Sequence, residues 1–269
     1  MSAESEGISS EGKNANLRVS SDITTQGADS EGISTQGRST TLSVSGDIIT
    51  QRINSEGISL SKRETKLVLN GSITTEEFDS EGVSTSGNYA KLIIKGPITT
   101  YDADSEGISA TSNFLNLLIR GTVSSIGNFS EGVSIIGSAA FLDLKGLVMT
   151  TGDESPGIFI LGDNSNIEIT GSVMSSGPLS PALFLTGTNH RVMTYGIIEL
   201  DSTAIELDGI SEDFLVVGNG NDPALTSNSG DAANMGAGND ILILDSGPGL
   251  VLNGDLNGGL ETTIRWFSS

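Results

Sequence analysis

A 25-residue unit repeats in constant register along most of this chain. Its signature, Ser-Glu-Gly-Ile/Val, begins at Ser5, Ser30, Ser55, Ser80, Ser105 and Ser130, then degrades to Ser155-Pro156-Gly157-Ile158 and Ser180-Pro181-Ala182-Leu183. A fixed period without insertions means that each unit is one layer of a stack. Aligned copies resolve into four aliphatic columns. The second copy supplies Ile33, Leu42, Val44 and Ile48, and the third supplies Ile58, Leu67, Leu69 and Ile73. Leu42-Ser43-Val44 alternates with period two, the mark of a half-buried strand. Many of these residues are β-branched, which favours strands.

Two glycine columns punctuate the aliphatic ones. One runs from Gly7 to Gly157 and the other from Gly46 to Gly196. A glycine at one fixed position suggests a corner that needs positive φ or a close backbone approach. Each unit therefore reads as three short strands separated by bends. The expected fold is all-β: a single-stranded, right-handed parallel β-helix (β-solenoid) with about 25 residues per rung. The right hand is expected because parallel crossovers almost always take it. Leucine-rich repeats have a similar length, but their leucine-and-asparagine consensus is missing.

A regular β-helix is expected over residues 1–215. Irregular C-terminal rungs and a cap, continuous with the same solenoid, are expected over residues 216–269. The register shortens to 22 where Ser202-Thr203-Ala204-Ile205 takes the signature position early. Strands are expected at Phe214–Val217 and Ile241–Leu244, and Ile264-Arg265-Trp266-Phe267 is expected to plug the last rung. Phe159 and Phe184 stand where earlier copies have serine, which points them outward, one above the other. They await either a covering C-terminal loop or service as an exposed apolar patch.

The formal net charge of −21 argues against nucleic acid and anionic membranes as partners. With no cysteine, disulfides and thiolate metal sites are excluded. Residues 1–13 lack the basic start and apolar run of a signal peptide.

The chemistry-bearing residues fall into four groups. Glu6, Glu31, Glu56, Glu81, Glu106 and Glu131 should form a ladder with neighbours about 5 Å apart. Asp29, Asp79 and Asp104 would thicken it. Hard oxygen ligands in a row could hold Ca²⁺; the alternative is a hydrated edge whose side chains splay apart, helped by Lys13, Arg38 and Arg63. Asp222 and Asp240 lie in the Gly-Asn-Asp segments GNGND and GAGND, 18 residues apart. That spacing equals two calcium-binding nonapeptides, but the text between them does not keep the motif, so turns are expected. Thr24-Thr25, Thr74-Thr75 and Thr99-Thr100 form a threonine column, read as a structural β-surface. His190, the sole histidine, is expected in a turn. No catalytic residue and no cofactor is assigned, with Ca²⁺ as the one metal considered.

The glycine-punctuated SEGI repeats, turns such as Ile48-Ile49-Thr50, and the late GNGND…GAGNDILIL text resemble bacterial autotransporter passenger domains and related β-strand-repeat surface proteins. The likeness covers about residues 5–253. In that family a separate C-terminal β-barrel, a part this chain does not contain, carries the passenger outward. The resemblance implies an extracellular or outer-membrane-associated location. It also implies a non-catalytic adhesive or structural stalk whose partner is a host or matrix glycan or protein, or another copy of itself. The alternative is a β-helical polysaccharide-active enzyme, a lyase or glycosidase.

Overall fold

The computed structural model describes residues 6–200, 202–208, 212–218, 224–245, 250–258 and 262–267. Among them every regular element is a strand, and the strands stack in parallel as a β-solenoid of about ten turns. Each turn contributes three strands, as in Ile33–Thr35, Thr41–Val44 and Ile48–Thr50. We call these the first, second and third faces. The second face is an 11-stranded sheet running from Asn16–Val19 to Thr263–Phe267. The first and third faces are joined into one 19-stranded sheet by Ala224–Asn234. That strand pairs with Ile197–Leu200 of the third face and then with Ile205–Asp208 of the first.

The register is 25 from rung to rung up to Thr186 on the first face, Thr194 on the second and Leu200 on the third, as in Ile33↔Ile58 and Val83↔Ile108. It then varies: Leu183 pairs with Ile205, Arg191 with Phe214 and Phe214 with Ile241. The strands expected from sequence at Phe214 and Ile241 are both present. Thr263–Phe267 is the last strand of the second face, while the Trp266 ring lies outside the described residues.

Inside the coil the four aliphatic columns form one continuous core, with Ile33, Leu42, Val44 and Ile48 fully buried. In the outermost rung Ile8, Leu17 and Ile23 are only partly buried. The interior also holds hydroxyls that a hydropathy pattern does not single out. Ser30, Ser55, Ser80, Ser105, Ser130, Ser155 and Ser180, which open the signature, are all fully buried. The Ser80 Oγ accepts the Ser55 N–H at 3.1 Å, and its own hydroxyl faces the Phe78 and Arg52 carbonyls at 3.2 and 3.1 Å. The same clip joins Ser30 to Ser55, Ser80 to Ser105, Ser105 to Ser130 and Ser130 to Ser155. It satisfies a corner N–H that no strand can reach, so the signature serine is a corner fastener.

The corners decide between the two readings of the glycines. None of Gly46 to Gly196 in that column has a left-handed φ. They are glycines because the rungs touch there. A Cβ on Gly96 would lie 2.7 Å from the Gly71 carbonyl carbon, and one on Gly82 would lie 2.6 Å from Gly107 O. The left-handed corners are made by other residues. Asp29, Asn54, Asp79, Asp104, Phe129, Glu154 and Leu179 have φ of 51–55°. A second such column runs from Asn14 to Asn189 at 58–62°. Asn and Asp tolerate this conformation; Phe129, Leu179 and Phe114 do so at a cost of about 1–2 kcal/mol each.

Replacing Ser80 with Ala should lower stability by about 1–3 kcal/mol, because the buried Ser55 N–H then has no acceptor. Ser84→Ala, on the outward side of the same rung, should leave urea unfolding nearly unchanged. Equal effects from the two substitutions would contradict the fastener role.

Candidate functional site

Glu31, Glu56, Glu81, Glu106 and Glu131 stand one per rung at the corner that leads into the first face. The sequence leaves two readings for them, a calcium-holding row and a hydrated edge whose side chains splay apart. Instead they are half-buried, because a corner packed tightly enough for glycine contacts holds its neighbours close. Burial pushes Glu56, Glu81 and Glu106 up to about 7, with the neighbouring ladder carboxylates adding to the shift. Burial also raises Glu131. Arg38 and Arg63 do not serve this row: both reach Glu64, at 3.9 and 3.2 Å, on another corner. Among the described residues no three acidic or histidine side chains converge as a metal ion requires.

Asp240 lies in an interior corner column. It is fully buried, and its Oδ1 accepts the Asp213 N–H at 3.0 Å. Asp213, also buried, accepts the His190 N–H at 2.7 Å in the same way. This column continues Thr40, Thr65, Ala90, Leu115, Ala140 and Ser165, all buried. His190 follows the expected bend, at Gly187–Asn189, and lies buried at 2% exposure. Burial lowers its pKa and raises that of Asp213 to about 6. Asp222 lies outside the described residues. The threonine pairs divide: Thr25, Thr75 and Thr100 are buried, while Thr24 is exposed and Thr74 and Thr99 only partly buried. Strand alternation dictates this split, and it leaves no paired threonine face.

One apolar concave feature was not assembled from the sequence. Phe159 and Phe184 do point outward, in register on adjacent rungs, with ring centroids 5.6 Å apart and planes tilted by 43°. They form one wall of an open groove of about 470 Å³. Phe129 and Leu179, from the left-handed corner column, form the other wall, and Leu179 is 72% exposed. Buried Pro156 and Pro181 floor it, because the carboxylate row stops at Glu131 and continues as prolines. Glu131, Glu154 and Glu206 also line it, and no Lys, Arg or His does among the described residues. Sequence columns showed the two phenylalanines. They could not show that a corner column bends toward them, since that depends on a φ of 55° at Phe129 and Leu179.

No family model, curated protein or solved structure matches this chain. The fold and the groove therefore stand on their own geometry.

The pH dependence of stability follows from the ladder. Glutamates in the unfolded chain titrate near 4.5, and the folded ladder near 7. The raised values contribute stability that is complete below about pH 4.5 and is lost as pH rises through about 7. The melting temperature should fall between pH 5 and pH 8, and the triple variant E56Q/E81Q/E106Q should flatten that fall. A triple variant that keeps the wild-type slope would contradict the ladder as its source. Separately, Asp240→Ala should cost about 1–3 kcal/mol by uncapping the Asp213 N–H. Chemical denaturation should give the same loss in chelator and in calcium; a loss seen only in calcium would make Asp240 a ligand instead.

Proposed function

We infer that this chain is a non-catalytic, rigid β-solenoid of a bacterial surface or secreted protein, which spaces or adheres through long faces. The observation that carries the reading is the constant register of 25. It sets like groups in rows along the axis, each facing its own copy. Such rows suit repetitive, multivalent contact with an extended partner. Catalysis instead needs unlike groups brought to one point. The resemblance to autotransporter passengers supports the same reading. Its partners are then a matrix or host glycan or protein, or further copies of the chain, met outside the cell.

A second reading, a polysaccharide-active β-helix, is favoured by one observation. Glu131, Glu154 and Glu206 share one groove, and burial raises Glu131 and Glu206. A raised carboxyl is what a general acid requires.

Glycan and matrix-protein arrays, run beside a polysaccharide hydrolysis and lyase screen, separate the two readings. Retention without turnover is the expected outcome. Sugar release that disappears in Glu131→Gln or Glu206→Gln would replace the adhesive reading with the enzymatic one.

A further inference from the structure

The groove departs from the repeat in a coordinated way. Earlier rungs carry serine at the Phe159 and Phe184 positions and glutamate at the Pro156 and Pro181 positions. Both columns change in the same two rungs, and the left-handed corner column adds Phe129 one rung earlier and Leu179 in the second of the two, with Glu154 between them. The result is an apolar trough spanning about three rung steps, or about 14 Å. Its volume of about 470 Å³ falls in the range of small-molecule sites.

The charge around it is one-sided. Glu131, Glu154 and Glu206 line the trough, and Asp208 and Asp231 act on Glu206 from nearby. Burial strips hydration from Glu131 and Glu206, and Asp208 and Asp231 repel Glu206, while Glu154 stays exposed at the rim. A neutral occupant would worsen the first cost and leave the second untouched. A cation offsets both. The phenylalanine rings add to this, since an aromatic face attracts a cation of low charge density. They also lack the donors and acceptors that a sugar would use, and among the described residues the neutral side-chain hydroxyls lining the trough are those of Ser202 and Thr203 alone. An inorganic divalent ion is disfavoured, since it needs several oxygens to converge and these carboxylates are spread over separate rungs.

We propose that this trough binds a small organic ammonium compound, with its apolar body on Pro156, Pro181, Phe159 and Phe184 and its cationic head toward Glu131, Glu154 or Glu206. The site is independent of the adhesive reading: it requires neither a surface location nor a polymeric partner, and a negative glycan screen leaves it standing.

Three probes of one shape test it by calorimetric titration of the full chain: 3-phenylpropylammonium, 3-phenylpropanol and 3-phenylpropanoate. The ammonium should bind saturably and about tenfold more tightly than the alcohol, with the carboxylate weakest. Phe159→Ser with Phe184→Ser restores residues that the same column carries in earlier rungs, so the stack should remain folded, as circular dichroism would verify. This double variant should lose at least tenfold in ammonium affinity. Glu131→Gln with Glu154→Gln should bring ammonium and alcohol affinities together. Equal binding of amine and alcohol by the wild type would overturn the proposal in favour of a plain apolar patch. So would self-association on sedimentation that the phenylalanine variant abolishes, which would make a second copy the occupant. Absence of saturable ammonium binding by the folded wild type would also overturn it.

Discussion

Everything in this solenoid depends on the rung-to-rung register, which over the regular rungs sets each residue over the residue 25 positions away. The backbone ladder, the aliphatic columns and the serine clips are all expressions of that one spacing. A single rung cannot satisfy its own backbone, because its hydrogen-bond partners belong to the rungs above and below. Stability is therefore cooperative along the axis. The glycine columns follow from the same closeness: where two corners touch, there is no room for a Cβ.

The spacing that aligns isoleucine with isoleucine also aligns carboxylate with carboxylate. The glutamate row is the consequence: half-buried acids whose pKa values rise first for loss of water and further because their neighbours are acids. Inside the coil the same stacking places Thr50 and Thr75 hydroxyls where they find no hydrogen-bond partner, so that these residues contribute mainly their methyl groups. Further along, the interior corner column changes from Thr and Ala to His190, Asp213 and Asp240. There each buried carboxylate caps the preceding rung's N–H, as a side-chain substitute for ladder bonds. The Gly-Asn-Asp text thus includes at least one aspartate that is structural.

Chemical individuality appears only where the repeat is broken. Perfect repetition yields flat rows, and a concave site requires neighbouring columns to diverge in the same rungs. The exchange of serine for Phe159 and Phe184 and of glutamate for Pro156 and Pro181 does this, and Phe129 of the preceding rung and Leu179 close the other side. It turns an acidic ridge into an apolar trough that still has carboxylates beside it. The long strand Ala224–Asn234, which spans the third and first faces, marks the region where the regular register has already given way.

The fold was legible in the sequence because a constant period maps linear spacing directly onto space. Ile33, Ile58 and Val83 had to stack if the units stacked at all, and strand alternation placed Phe159 and Phe184 outside. Corners were less legible. Period-two logic stops at a bend, so the inward turn of Ser80, His190 and Asp240 depends on backbone angles that neighbouring rungs impose. The same limit hid the left-handed conformation of Phe129 and Leu179, residues that rarely adopt it. The sequence by itself determined the stack and its columns, since those need only spacing and hydrophobicity. Only the tertiary structure decided which polar groups are buried and where the trough lies, since both depend on how each corner folds against the next.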